Sequence, residues 1–274
     1  MSSSVPGARA VYFVSDGTGI TAETLGNTLL TQFDAVEFRK TTLPFVNSVE
    51  KARNCVQYID YVADQEPRPI VFSTTVNDEV RGIVRQCKGL FIDLFDAFIH
   101  HIEDELGEKS THAQGRAHGQ GDSRRYEARI EATNFAMEHD DGQAARDLDR
   151  AQVILIAPSR CGKTPTTLYL ALQHGIFATN VPLTEDDLEN LQLPESLRPY
   201  ADRCFGITSD PERLAQVRTE RRAGSRYASL AQCAYELRQA ESLYRKLGIP
   251  SVNSANMSIE EIAAVVMQEK ELQR

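Results

Sequence analysis

Apolar positions along the chain fall into two kinds of run that alternate. Short continuous stretches bounded by polar turns, "RAVYFVS" (9–15), "RPIVFSTT" (68–75) and "AQVILIAPS" (151–159), read as buried strands. "GITAETLGNTLLTQF" (19–33) and "SVEKARNCVQYIDYVADQ" (48–65) instead repeat their apolar residues at helical spacing. Between them "AVEFRKTTL" (35–43) alternates like a half-buried strand, and a helix is predicted near 77–87. "LFIDLFDAFIHHIEDELG" (90–107) carries a 3.6-residue period throughout and predicts one helix closing a first domain.

The pattern then breaks. "GEKSTHAQGRAHGQGDSRR" (107–125) is polar, rich in Gly and His and without period, so it reads as a loop or linker. The expected domains are 1–106, a linker at 107–125, and 126–274. Past the linker, "YEARIEATNFAMEHDDG" predicts a helix ending at Gly142, and "CFGITS" (204–209) and "IPSVNSA" (249–255) predict further strands. Helices are predicted over "PERLAQVRTERRA", "SLAQCAYELRQAESLYRKLG" and "SIEEIAAVVMQ". Strands alternating with helices imply α/β architecture: two domains with mainly parallel sheets, covered on both faces.

Composition narrows the class. The chain has 274 residues, long enough to build its core without disulfide or metal staples, and its 41% hydrophobic content is ordinary for a globular protein. A formal charge of -9 argues against general nucleic-acid binding, which depends on Lys and Arg neutralising phosphates. Cys55, Cys87, Cys161, Cys204 and Cys233 are odd in number and form no Cys-x-x-Cys pair, so they read as reduced thiols. No apolar run approaches the roughly 20 residues that cross a bilayer, and no signal segment opens the chain. A cytoplasmic location is expected.

Candidate chemistry concentrates after residue 138. "APSRCGKT" (157–164) joins a buried strand to a helix and ends in Gly-Lys-Thr, close to the phosphate-loop pattern and thus P-loop-like, although Ala157 stands where that pattern has its first glycine. In such a turn, backbone N–H groups of Ala157, Ser159, Arg160, Cys161, Gly162, Lys163 and Thr164 would face phosphate oxygens. Pro158 has no N–H to give. Lys163 would add a cation and Thr164 a hydroxyl for Mg²⁺; a plain helix start fits the same letters. Asp140 and Asp141 of "HDDG" can hold a metal or take a hydroxyl proton, and also fit a solvated helix end. Arg213, Arg218, Arg221, Arg222 and Arg226 cluster, with Arg218, Arg221 and Arg222 spaced to share one helix face, as a phosphate clamp or an exposed surface. Asp210 before Pro211 reads as a helix N-cap. "SDGTGITAE" (15–23) offers Asp16, Thr18 and Thr21 as a second anion pocket or a simple helix start, and His118 lies in the polar loop.

Together, "VSDGTGITAETLG", "TLPFV", "AHG", "RIEA", "HDDG", "SRCGKTPTTLYLA", "DPERL", "ERRAGSRYASL" and "SIEEIA" resemble, in order from about residue 9 to residue 266, the regulatory proteins of phosphoenolpyruvate synthase and pyruvate, phosphate dikinase. Ala157 and Pro158 depart from that family's Gly-Val. The resemblance implies a bifunctional enzyme. One activity moves the β-phosphate of ADP to a threonine of phosphoenolpyruvate synthase whose catalytic histidine is phosphorylated; the other uses inorganic phosphate to remove it as pyrophosphate. On that reading Lys163 and Arg160 serve the transferring phosphoryl group, Asp140 or Asp141 the threonine hydroxyl, and Thr164 with Asp141 the Mg²⁺. Arg221, Arg222 and Arg226, or Asp16, Thr18 and Thr21, would meet a further phosphate or the partner. Homodimerisation is a family-level expectation. The alternatives are the dikinase as target, a P-loop kinase using ATP on a small metabolite, and an ADP-sensing regulator without catalysis.

Overall fold

The computed structural model describes residues 8–111, 123–142 and 147–272, and the chain divides into two compact units, 1–121 and 122–274. In the N-terminal unit strands and helices alternate: β1 (Arg9–Val14), α1 (Ile20–Leu30), β2 (Phe38–Leu43), α2 (Val49–Ala63), β3 (Ile70–Ser73), α3 (Asp78–Val84), β4 (Leu90–Asp93) and α4 (Asp96–Leu106). Its four-stranded sheet has the order β2-β1-β3-β4, every pair parallel. The two-residue period of β1 explains why both faces need cover. Ala10, Tyr12 and Val14 enter one apolar cluster with Ala52 and Ile59 of α2, while Val11 and Phe13 enter another with Ala22 and Leu30 of α1.

The C-terminal unit comprises α5 (Ser123–Glu138), β5 (Val153–Ala157), α6 (Lys163–His174), β6 (Ala178–Pro182), α7 (Glu185–Asn190), β7 (Cys204–Thr208), α8 (Pro211–Arg221), α9 (Leu230–Leu247), β8 (Ser251–Asn253) and α10 (Ile259–Glu269). Its sheet is again four-stranded and parallel, in the order β6-β5-β7-β8. β5 is buried along its whole length. Val153, Leu155 and Ala157 pack with Leu170 and Val266, while Ile154 and Ile156 pack on the opposite face with Leu243 and Tyr244. The α/β class with two parallel sheets is thus as the alternation predicts. Among the described residues no helix is long and apolar enough to cross a membrane, and all five cysteines are free and buried.

Three expectations need correction. Residues 90–107 are not one helix: Leu90–Asp93 pairs with β3 as β4, and Asp93 then turns the chain by accepting the N–H groups of Phe95 and Asp96. The helix expected to reach Gly142 stops at Glu138 and gives way to a 3₁₀ turn, Asp140–Gly142, in which Asp141 adopts the left-handed conformation at φ 50. Asp210 does occupy the N-cap position of α8, but its side chain makes no capping bond and instead accepts from Asn253 Nδ2 at 3.1 Å. β6 and α7 have no counterpart in the sequence reading. Residues 112–122 of the expected linker, with His118, lie outside the described residues.

Candidate active site

In the C-terminal sheet the chain runs from β5 to β6 on one side and then to β7 on the other, so the loops after β5 and β7 part at the carboxyl edge. A parallel sheet forms its ligand crevice there. The loop after β5 carries two left-handed residues, Arg160 at φ 74 and Gly162 at φ 91. Gly162 is the N-cap of α6 and supplies no side chain to cap it, unlike Ser48 of α2 or Ser258 of α10, whose hydroxyls accept from the third helical N–H. Among the described residues, the N–H groups of residues 159–164 donate to no protein acceptor. Unpaired amides at a helix start, with left-handed residues before them, form an anion-binding nest.

Lys163 is 5% exposed, and its ammonium donates to the carbonyl of Pro158 at 3.2 Å. Burial lowers its pKa, against the raising influence of Cys161, Asp141 and Asp140. Thr164 Oγ1 donates to Asp140 Oδ1 at 2.9 Å, and Asn180 Nδ2 donates to the same oxygen at 2.7 Å. Asn180 Oδ1 in turn accepts the Asp141 N–H at 3.3 Å, so one amide side chain from β6 holds the whole acidic turn. Thr179 adds a bond to the His139 carbonyl at 2.7 Å. The Asp141 side chain has no hydrogen-bond partner among the described residues and borders a cavity of about 290 Å³, with Ser159, Arg160, Lys163, Thr164 and Arg221.

The arginines do not share a face. Arg218 follows the buried Leu214 by one helical turn and is itself fully buried, because three acceptors meet it: the Ser159 carbonyl at 3.2 and 3.0 Å, the Tyr227 carbonyl at 3.0 Å and Glu236 at 2.6 Å. Burial opposes its charge, but the bond and attraction from Glu236 outweigh this and raise its pKa. Its guanidinium also lies 4.3 Å from the Tyr227 ring centre, and Tyr227 OH reaches Ser159 Oγ at 3.0 Å. Arg218 therefore anchors the phosphate-loop candidate from behind. Arg221 reaches the cavity; Arg222 is exposed at the C-cap of α8, and Arg226 is exposed and paired with Glu185 at 2.7 Å.

Among the other candidates, Ala157 and Cys161 are core residues, so only their backbone can reach a ligand; burial pushes the Cys161 thiol up to about 11. Asp16, Thr18 and Thr21 belong to the N-terminal unit, where Asp16 accepts the Val76 N–H at 2.9 Å and both threonines are exposed. Asn180 and Tyr227 were not foreseen. The polar interruption Thr179-Asn180 inside an otherwise strand-like stretch is the one signal that marks the first; nothing local marks the second.

A magnesium ion held jointly with substrate phosphates fits these residues, since it needs only one or two protein oxygens and Thr164 and Asp140 place a hydroxyl and a carboxylate side by side. No cluster of three or more His, Cys, Asp or Glu able to cage a metal exists among the described residues.

Fold and site define a parallel α/β protein whose charged and hydroxyl groups gather around one loop at the sheet's carboxyl edge. The chain belongs to the kinase/pyrophosphorylase family, whose model matches residues 11–267. A relative from Bordetella avium (strain 197N) with the name "Putative phosphoenolpyruvate synthase regulatory protein" is 52% identical over 268 residues, covering 97% of this chain and 98% of its own. Relatives of the same name from Bordetella parapertussis and Ectopseudomonas mendocina are 51% identical over 272 residues and 49% identical over 267 residues, covering 99% and 97% of this chain and 99% and 98% of their own.

Proposed function

We propose that this chain regulates phosphoenolpyruvate synthase by two opposed phosphoryl transfers at the loop after β5. The observation that carries the reading is the meeting, at one cavity, of a buried Lys163, the Thr164 that pairs with Asp140, and the carboxylate of Asp141, which has no hydrogen-bond partner among the described residues. In the inactivating direction the ADP diphosphate lies along the amides of residues 159–164. The synthase threonine Oγ attacks the β-phosphorus, its proton passes to Asp141, the bond to the bridging oxygen breaks, and AMP leaves. Lys163 and Arg160 neutralise the spreading charge, which is where most of the barrier lowering in phosphoryl transfer originates. Thr164 and Asp140 are the residues to hold magnesium, which would draw charge from the phosphate oxygens.

In the restoring direction an oxygen of inorganic phosphate attacks the phosphothreonine phosphorus. The P–O bond to threonine breaks, Asp141 relays the proton from the entering phosphate to the threonine oxygen, and pyrophosphate departs. Arg221, at the cavity rim, suits the second charge that the phosphohistidine form of the synthase presents. The names of the relatives support this target, and the buried lysine and paired hydroxyl support this chemistry.

The test incubates the protein with magnesium and phosphoenolpyruvate-charged synthase, using ADP labelled at the β-phosphate or ATP labelled at the γ-phosphate. Acid-stable label on synthase threonine from ADP alone, released as labelled pyrophosphate on adding phosphate, is the expected result. Transfer from ATP alone, or ADP binding without transfer, would overturn it.

A further inference from the structure

The segment "TLPFV" (42–46) has no part in the phosphoryl-transfer reading, yet its last four residues wall a cavity of about 310 Å³ in the N-terminal unit. We propose that this cavity is a second binding site, independent of the phosphate loop, and that it takes a small carboxylic acid with an apolar body.

The walls give the apolar body its place. Leu43, Pro44 and Val46 face Cys55 and Tyr58 of α2 across the cavity, and an apolar lining with few polar groups is the usual make-up of a small-ligand site. Cys55 is 6% exposed, and burial pushes its thiol up to about 12, so it stays neutral and behaves as a small apolar group. The Tyr58 ring is braced edge-on by Tyr12, with 5.6 Å between ring centres.

Phe45 is the residue that folding alone does not explain. It sits at φ 57, in the left-handed region that bulky side chains rarely occupy. Its N–H donates to the Gly17 carbonyl at 2.8 Å, the next N–H donates to the Ser15 carbonyl at 2.9 Å, and Lys51 Nζ donates to its own carbonyl at 3.0 Å. Glycine would take that turn without strain, and the ring is 52% exposed, so neither the backbone nor the core calls for phenylalanine here. Strain of this kind gathers at ligand clamps, and this ring forms one wall of the cavity.

The polar groups decide the head of the ligand. Lys51 Nζ is positioned by the Phe45 carbonyl and by Asn47 Oδ1, each at 3.0 Å, which leaves one of its three N–H groups without an acceptor among the described residues. Asn54 adds an amide to the lining, and no carboxylate lines the cavity. One ammonium N–H and one amide suit a carboxylate, the first bond being charge-assisted. A phosphate suits them less. The amides of Phe45 and Val46 are committed to carbonyls and that of Lys51 donates to Ser48 Oγ at 3.3 Å, so these three cannot serve as an anion nest.

Titration calorimetry on the full chain tests this with hydrocinnamate, with hydrocinnamyl alcohol, which lacks the carboxylate, and with propanoate, which lacks the ring. Hydrocinnamate should bind at one site with a dissociation constant of about 1 mM or below, and each of the other probes at least about tenfold more weakly. Lys51→Met should weaken hydrocinnamate about tenfold or more and leave the alcohol unchanged. Phe45→Gly, which suits the turn and should keep cooperative thermal unfolding, should weaken hydrocinnamate about tenfold. Pyrophosphate should bind both variants within about twofold of the wild type. Absence of saturable binding, an alcohol that binds as tightly as the acid, or either variant binding hydrocinnamate as the wild type does would overturn the site. So would displacement of hydrocinnamate by pyrophosphate, which would put the acid at the phosphate loop instead.

Discussion

Lys163 sets burial against charge. Its pKa lies below the ordinary 10.5, chiefly because it is buried. A lysine with a folded-state pKa below its unfolded value holds fewer protons folded than unfolded between the two. Its cost to stability is therefore complete below the folded pKa and fades as pH rises towards 10.5. Lys163→Met should raise the thermal midpoint at neutral pH, by a margin that narrows in alkali, while abolishing pyrophosphate binding. Midpoints of both proteins across that pH range, with calorimetry, check the two halves together. Asn180 works through Asp140 and the Asp141 N–H without facing the cavity. Asn180→Ala should lower turnover about 10- to 100-fold, the usual cost of losing a group that orients a ligating carboxylate. The ADP dissociation constant should hardly move, and steady-state kinetics beside equilibrium binding would separate these. Gly-Lys-Thr and Asp-Asp-Gly declare their chemistry by residue type alone. That Thr164 meets Asp140 depends on the left-handed turn at Asp141 and on an asparagine 39 residues away, which no spacing rule contains.

At the scale of elements, β1, β2, β3, β5, β7 and β8 were legible as strands in the sequence, whereas β4 and β6 were not. β5 is apolar throughout and declares itself; β6, "ATNVP", carries Thr179 and Asn180 because those side chains bond to the acidic turn, so its composition imitates a loop. β4 was lost for another reason. Its four residues continue the apolar phase of α4, and a helical period runs through both until the Asp93 turn separates them. Packing between elements is close where β7 meets α9. A methyl group at Gly206 would stand 2.5 Å from Tyr244 Cε2, and the ring cannot retreat because its hydroxyl holds the Ile156 carbonyl at 2.8 Å. Gly206→Ala should cost about 1 to 3 kcal/mol, readable as a lowered urea midpoint with unchanged slope.

For the whole molecule, each unit carries its own sheet and its own apolar clusters on both sheet faces. A fragment of residues 122–274 should therefore unfold cooperatively by circular dichroism and bind pyrophosphate as the full chain does. Division into two α/β halves was legible from strand–helix alternation on either side of the aperiodic polar stretch 107–125, since periodicity reports burial, and burial is what makes a unit. The function of Arg218 was not, because a charge on a helix reads as surface until the acceptors that bury it are known. Breaking such a pair leaves an uncompensated charge and costs about 3 to 5 kcal/mol. Glu236, on a helix remote in sequence from the loop, thereby becomes a place where the chain tolerates little variation. Glu236→Gln should be a temperature-sensitive variant, active when assayed cold and lost on warming before the wild type. In any survey of variants scored by activity at one temperature it would be mistaken for a catalytic residue.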